Sequence, residues 1–213
     1  AKEHEIFGRR LSAMLREGQI MRNRKGDLCM MEKLALIKGK VQGHADGFGF
    51  FIPDDESTDL FLSPKEMHKA LHGDQVVVRE FGLDRRGRRE ATIVEVLQRA
   101  NTQLVGRLHI DHGILFVEAE NRRISQDILI PKEKSMKAKA GQVVIIKIIQ
   151  QPSKNAQPIG HVTEILGDYT APGMEIEIAL RKHDLPYEFS SEVEKLSAQF
   201  PTRVLKKELV ERE

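Results

Sequence analysis

Four blocks of the 213-residue chain recur in the same order at a nearly constant spacing. GKVQGHADGFGFFIP from Gly39 is answered by GRLHIDHGILFVEAE from Gly106, and DLFLSPKEM from Asp59 by DILIPKEKS from Asp127. GDQVVVRE from Gly73 is answered by GQVVIIKI from Gly141, and ATIVEVL, ending at Leu97, by HVTEIL, ending at Leu166. The offsets are 67, 68, 68 and 69 residues. Self-similarity of this kind marks one structural unit used more than once. The middle of the chain therefore divides into two copies, 37–99 and 100–167.

Each copy is strand-rich. Val76, Val77 and Val78, then Ile93, Val94 and Val96, form β-branched runs bounded by glycine and charge. The order is strand, glycine turn, strand, acidic turn, strand, a helical or irregular link, strand, basic loop, strand. Five short strands with a long third connection predict a mainly β fold of two tandem five-stranded barrels of the oligonucleotide-binding (OB) type. Each copy is too short for most sandwiches. Ahead of them, HEIFGRRLSAMLREG sets Ile6, Leu11, Met14 and Leu15 at helical spacing, with Gly18 as the stop. QIMRNRKGDLCMM then reads as a hairpin about the turn RKGD. Together, residues 1–36 resemble the C-terminal part of a winged helix. Beyond Leu166, APGMEIEIALRKH and SSEVEKLSAQF predict helices, with Ser191 and Glu194 as a capping box. Residues 168–213 read as the start of a further domain. Ala1 at one end and LKKELVERE at the other read as cuts through a longer protein.

Several function classes find no support. No apolar run approaches a membrane span, and no basic leader precedes an apolar core, so a cytoplasmic protein without a membrane partner is expected. Cys29 is the only cysteine and forms no internal disulfide; between Leu28 and Met30 it is expected in a packed core. Asp54, Asp55, Glu56 and Asp59 are adjacent rather than convergent, a solvated turn and not a metal site. His109 and His112 lack further ligands at zinc spacing. No Gly-x-x-x-x-Gly-Lys loop and no nucleophilic triad is legible. The net charge of +2 does not by itself argue for nucleic acid.

The phenylalanines argue more strongly. The chain has nine, with two tyrosines and no tryptophan, and three of them lie in DGFGFFI. Side chains alternate along a strand, so Phe48 and Phe50 point one way while Gly49 and Phe51 point the other. With Phe51, Val41, Leu60 and Leu62 in the barrel core, Phe48, Phe50 and Phe61 form an outer aromatic plate edged by Lys40 and His44. Exposed rings invite a cover, and unpaired bases stack on aromatic rings for about 1–3 kcal/mol each. In the second copy Phe48 aligns with Ile114, Phe50 with Phe116 and Phe61 with Leu129, so only Phe116 remains a ring. Basic loops at Arg85, Arg86, Arg88 and Arg89, and at Lys132, Lys134, Lys137 and Lys139, are within reach of phosphates. The candidate RNA-binding residues are Lys40, His44, Phe48, Phe50, Phe61, Arg86, Arg88, Arg107, Phe116 and Lys132; no catalytic or metal-binding residue is proposed.

DGFGFFI with DLFLS resembles the paired RNA-binding motifs of cold-shock domains, on which Phe48, Phe50 and Phe61 fall at the stacking positions. Asp46, Ser63 and the pair Gly43–His44 depart from that pattern, where a lysine, a histidine and an aromatic pair are usual. The whole order, with RRGRREA and the stretch from Leu166 to Tyr187, resembles the N-terminal half of a bacterial ribonuclease II family enzyme, a processive 3′→5′ exoribonuclease. The resemblance implies barrels that gather single-stranded RNA, including the 3′ tails of structured RNA, and feed it to a catalytic domain. Magnesium is then expected for the intact enzyme and no cofactor for this segment, which is expected to be an inactive monomer. Two other readings stand beside it: a non-enzymatic cold-shock-type RNA chaperone or regulator, and a pair of docking barrels whose rings are covered by protein.

Overall fold

A computed structural model describes residues 2–17, 19–22, 26–30, 35–183, 185–187 and 189–200. The expected helix stop at Gly18, Arg24 and Lys25 of the RKGD turn, and the terminal LKKELVERE lie outside the described residues. Helix α1 (Lys2–Arg16) leads into a small antiparallel pair, β1 (Ile20–Arg22) with β2 (Leu28–Met30). The first repeat supplies β3 (Leu36–Gly43), β4 (Gly49–Pro53), β5 (Leu60–Leu62), helix α2 (Pro64–Met67), β6 (Gln75–Leu83) and β7 (Arg89–Gln98). The second supplies β8 (Gln103–Asp111), β9 (Ile114–Ala119), β10 (Ile128–Ile130), β11 (Gln142–Gln150) and β12 (Ile159–Asp168). Helices α3 (Met174–Lys182) and α4 (Ser191–Ser197) follow.

Both repeats close into five-stranded barrels with one topology. The first runs β3-β4-β5-β7-β6 and the second β8-β9-β10-β12-β11. In each, the third and fifth strands pair in parallel and every other pairing is antiparallel. A parallel pair needs a crossover rather than a hairpin. Helix α2 begins that crossover in the first barrel, and a single 3-10 turn at Lys132–Lys134 begins it in the second.

Alternation sets the core. Val41, Phe51, Leu60, Leu62, Val76, Val78 and Ile93 fill the first barrel, together with Met67 of α2. Gly49 faces the same interior: a Cβ there would stand 2.5 Å from Met67 Sδ and 2.9 Å from the Gln42 carbonyl oxygen, so a side chain there would push against both α2 and the neighbouring strand. Val77 points outward and is still fully buried, because Met21, Leu36 and Leu97 cover it. The second core contains Leu108, Val117, Ile128, Ile130, Val144, Ile146 and Val162, and also Leu71 from the crossover of the first barrel.

Leu71 is one of several ties between the barrels. The fully buried carboxylate of Asp74 accepts hydrogen bonds from Leu71 N–H (2.9 Å), Ala100 N–H (2.8 Å) and the Arg99 guanidinium (3.0 Å). Arg99 also donates to the carbonyls of Lys69 and Pro152, which lie in different barrels. Asn101 donates to the His72 carbonyl, and Gln126 to those of Met67 and Ala70. Residues 1–174 form one compact unit and 175–213 a second.

Three local expectations are corrected. Cys29 is only half-buried, between exposed Leu28 and Met30, because β2 is one strand of a thin two-stranded pair without a core of its own. Ile6 is 66% exposed, so the packed face of α1 is limited to half-buried Leu11, Met14 and Leu15. The cap of α4 is Ser190, whose Oγ accepts from Val193 N–H, rather than Ser191. With two adjacent serines the spacing alone could not choose, and the shift of one residue removes Glu194 from the capping-box position.

Replacing Asp74 by alanine leaves Arg99 and two backbone N–H groups without their acceptor in the interior. Urea unfolding should show a loss of about 3–5 kcal/mol. Glu80→Gln, at an exposed ion pair, should change stability by less than about 1 kcal/mol.

Candidate nucleic-acid interface

The register of β3, β4 and β5 assembles the aromatic face. Phe50 pairs with Gln42 on one side and with Phe61 on the other. The ring centroids of Phe48 and Phe50 are 5.8 Å apart, those of Phe48 and Phe61 5.7 Å, and those of Phe50 and Phe61 6.1 Å. The β3–β4 turn closes through His44 N–H to the Phe48 carbonyl at 2.8 Å, which lays the His44 imidazole on the Phe48 ring at 4.3 Å and 13°. Asp46 N–H donates to His44 Nδ1 and orients that imidazole.

The three rings are not equally presented. Phe48 and Phe50 are half-exposed, whereas Phe61, expected on the open face, is 9% exposed. Its neighbours cover it, and the Arg88 guanidinium sits 3.7 Å above the ring centroid. Phe61 is therefore the floor of the site, a cation–π seat for an arginine, and Phe48 and Phe50 are its open surface.

A groove of about 840 Å³ opens over the Phe50 and Phe61 side of this face, with Phe48 outside its lining. Gln42, His44, Phe50, Asp59, Phe61, Arg88 and Arg89 line it from the first barrel, and Arg122 and Arg123 from the second. Lys40 is exposed on β3, two residues before Gln42 and so on the same strand face, but does not line the groove. Arg86 is exposed in the β6–β7 turn and is likewise outside it. Arg88 is paired with Asp84 at 2.7 Å and Arg89 with Glu80 at 2.6 Å. The Arg89 hydrogen bond holds the Glu80 carboxyl below the usual range.

The second barrel's counterpart face is different in kind. His109 stacks on Phe116 at 5.4 Å and 17°, with its Nε2 3.3 Å from Glu118, and Leu129 pairs where Phe61 would stand. Burial, and then the charge of Glu118, push the Asp127 carboxyl up. Arg107 lies 4.7 Å over the Tyr169 ring, and the exposed Lys132 has its Nζ close to the β8–β9 turn at Gly113. None of Arg107, Phe116 or Lys132 lines the groove.

Arg122 and Arg123 were not among the sequence candidates. They lie in the β9–β10 connection, and the repeat offset places them opposite the acidic turn of the first copy, near Asp55 and Glu56. That inversion of charge within an otherwise matched repeat was the available signal. The contact is close: a Cβ on Gly43 would stand 2.1 Å from the Arg123 carbonyl oxygen, so glycine is what lets the loop of one barrel rest on the strand of the other. His72 lies in the same seam, with Nδ1 3.4 Å from the Gly43 N–H. Burial, and then the positive charge of Arg123, hold its imidazole below the usual histidine range.

Among the described residues no group of three His, Cys, Asp or Glu side chains is placed to hold a metal ion. In the acidic turn, Asp54 accepts from Gln75 and lies near Lys38, and Asp55 accepts from Ser57 N–H, so the carboxylates do not fit a magnesium centre. Among the described residues no helix is long and apolar enough to cross a membrane.

Two domain families match the chain: the ribonuclease B OB domain over residues 39–96 and the cold shock domain over residues 116–190. Ribonuclease R of Acidithiobacillus ferrooxidans is 45% identical over 193 residues, 90% of this chain and 44% of that protein. Ribonuclease R of Escherichia coli (strain K12) is 42% identical over 194 residues, 90% of this chain and 24% of that protein. The chain thus spans less than half the length of either relative. Among solved structures, Mycoplasma genitalium RNase R in complex with ribose methylated single-stranded RNA shares the fold, with a TM-score of 0.63 at 18% identity over 78% of this chain and 27% of that one.

The seam carries a pH dependence. Because the folded state disfavours the His72 proton, the unfolded chain takes it first as pH falls. The stability tied to the neutral ring is present above about pH 6.5 and lost as pH falls through the lower folded value. The urea midpoint should therefore fall between about pH 7 and 5, and His72→Gln should remove part of that fall.

Proposed function

The chain is a ribonuclease R homologue over nine tenths of its length, and on that premise we propose that it is the RNA-gripping segment of a 3′→5′ exoribonuclease. Single-stranded RNA, including the 3′ tail of a structured molecule, lies across the first barrel with its bases on Phe48 and Phe50. The barrels pass the strand toward a separate catalytic domain, where magnesium and a carboxylate cluster carry out hydrolysis. The segment works as a cytoplasmic monomer.

The observation that carries this reading is the ring cluster: two half-exposed phenylalanines and a stacked histidine, arranged over a third ring and bordered by arginines. Bases have π faces of matching size, and stacking on them is indifferent to sequence, as a processive enzyme requires.

Anisotropy of a labelled single-stranded RNA should show that Phe48→Ala and Phe50→Ala each weaken binding by about 1–3 kcal/mol without unfolding the chain. Unaltered affinity in both variants would move the site elsewhere. Incubated with magnesium and RNA, the segment should leave the RNA intact; steady shortening from the 3′ end would contradict the proposed division of labour.

A further inference from the structure

Resting on the reading of the ring face as an RNA site, we infer that the second barrel supplies the phosphate clamp of the first, through Arg122 and Arg123. The charges of the groove make the case. Arg88 is held over Phe61 and by Asp84, and Arg89 is paired with Glu80, so the two groove arginines of the first barrel are neutralised within one hairpin. Both Arg122 and Arg123 are exposed and line the groove, and among the described residues neither is paired with a carboxylate. Within the groove, the arginines without a carboxylate partner therefore come from the other barrel.

The loop that carries them is fixed at both sides. Asn121 accepts from Arg123 N–H through its side chain and from Ile124 N–H through its carbonyl, closing a turn. Ile124 is buried in the core of the second barrel. The Arg123 carbonyl presses on Gly43, one residue before the His44 that stacks on Phe48. Rigid backbone at Arg123 with free guanidiniums beyond it is a preorganised contact for phosphates, while Asp59 in the same groove repels them and leaves the arginine side as their path. Bases on rings with phosphates on these arginines require an unpaired strand, so the ligand class is single-stranded RNA.

The test is anisotropy of a short labelled single-stranded RNA titrated with the whole chain at salt between about 50 and 200 mM, where each phosphate contact to a single strand contributes about 0.7 to the slope of log affinity against log salt. Across that range R122Q/R123Q should lose about sevenfold less affinity than the unmodified chain, from two fewer contacts. R122K/R123K should keep the original slope, and K147Q/K154Q, exposed on the second barrel and outside the groove, should leave it unchanged. An unaltered slope in R122Q/R123Q, or an equal reduction in K147Q/K154Q, overturns the clamp while leaving the ring site standing. Failure of the unmodified chain to bind RNA overturns both.

Discussion

The buried carboxylate of Asp74 is the contact on which the arrangement of the barrels rests. It accepts three hydrogen bonds, one from the crossover of its own barrel and two from the linker that follows. A polar group this deeply buried is tolerated only with its hydrogen-bond partners in place, so the linker is restricted to the path that provides them. Arg99 carries the restriction onward to Pro152 in the second barrel. With Leu71 inserted into the second core, the barrels are joined by both packing and charge. The placement of the β9–β10 loop against Gly43 follows from that join.

The two copies differ in what they present. The first barrel keeps three rings and neutralises its own arginines against Asp84 and Glu80. The second has lost two of the three rings, carries Glu118 and Asp127 beside the one that remains, and lends a basic loop to its neighbour. A single groove thus combines aromatic rings from one barrel with arginines from the other that have no carboxylate partner.

Much of this was legible in the sequence, because the repeat constrains topology and alternation constrains facing. Phe51, Val41, Leu60 and Leu62 are core residues as the period of two requires, and the outward set of Phe48, Phe50 and Phe61 is also as expected. What alternation does not express is the cover of a surface by other parts of the chain. Phe61 faces outward but is closed off by Arg88, and Val77 by Met21, Leu36 and Leu97. Lys132 was chosen for its charge in a connecting loop, and the structure sets both it and Arg107 outside the groove. Arg122 and Arg123 enter it through a contact between barrels about eighty residues apart in the chain from Gly43, which no local pattern encodes.

The most direct test of this account is photocrosslinking of 4-thiouridine-substituted single-stranded RNA to the chain, with the attachment sites mapped by mass spectrometry. The account predicts crosslinks concentrated on Phe48 and Phe50 and in the peptide that contains Arg122 and Arg123. Crosslinks gathered instead on the His109–Phe116 face or on α1, with none at Phe48 or Phe50, would contradict it.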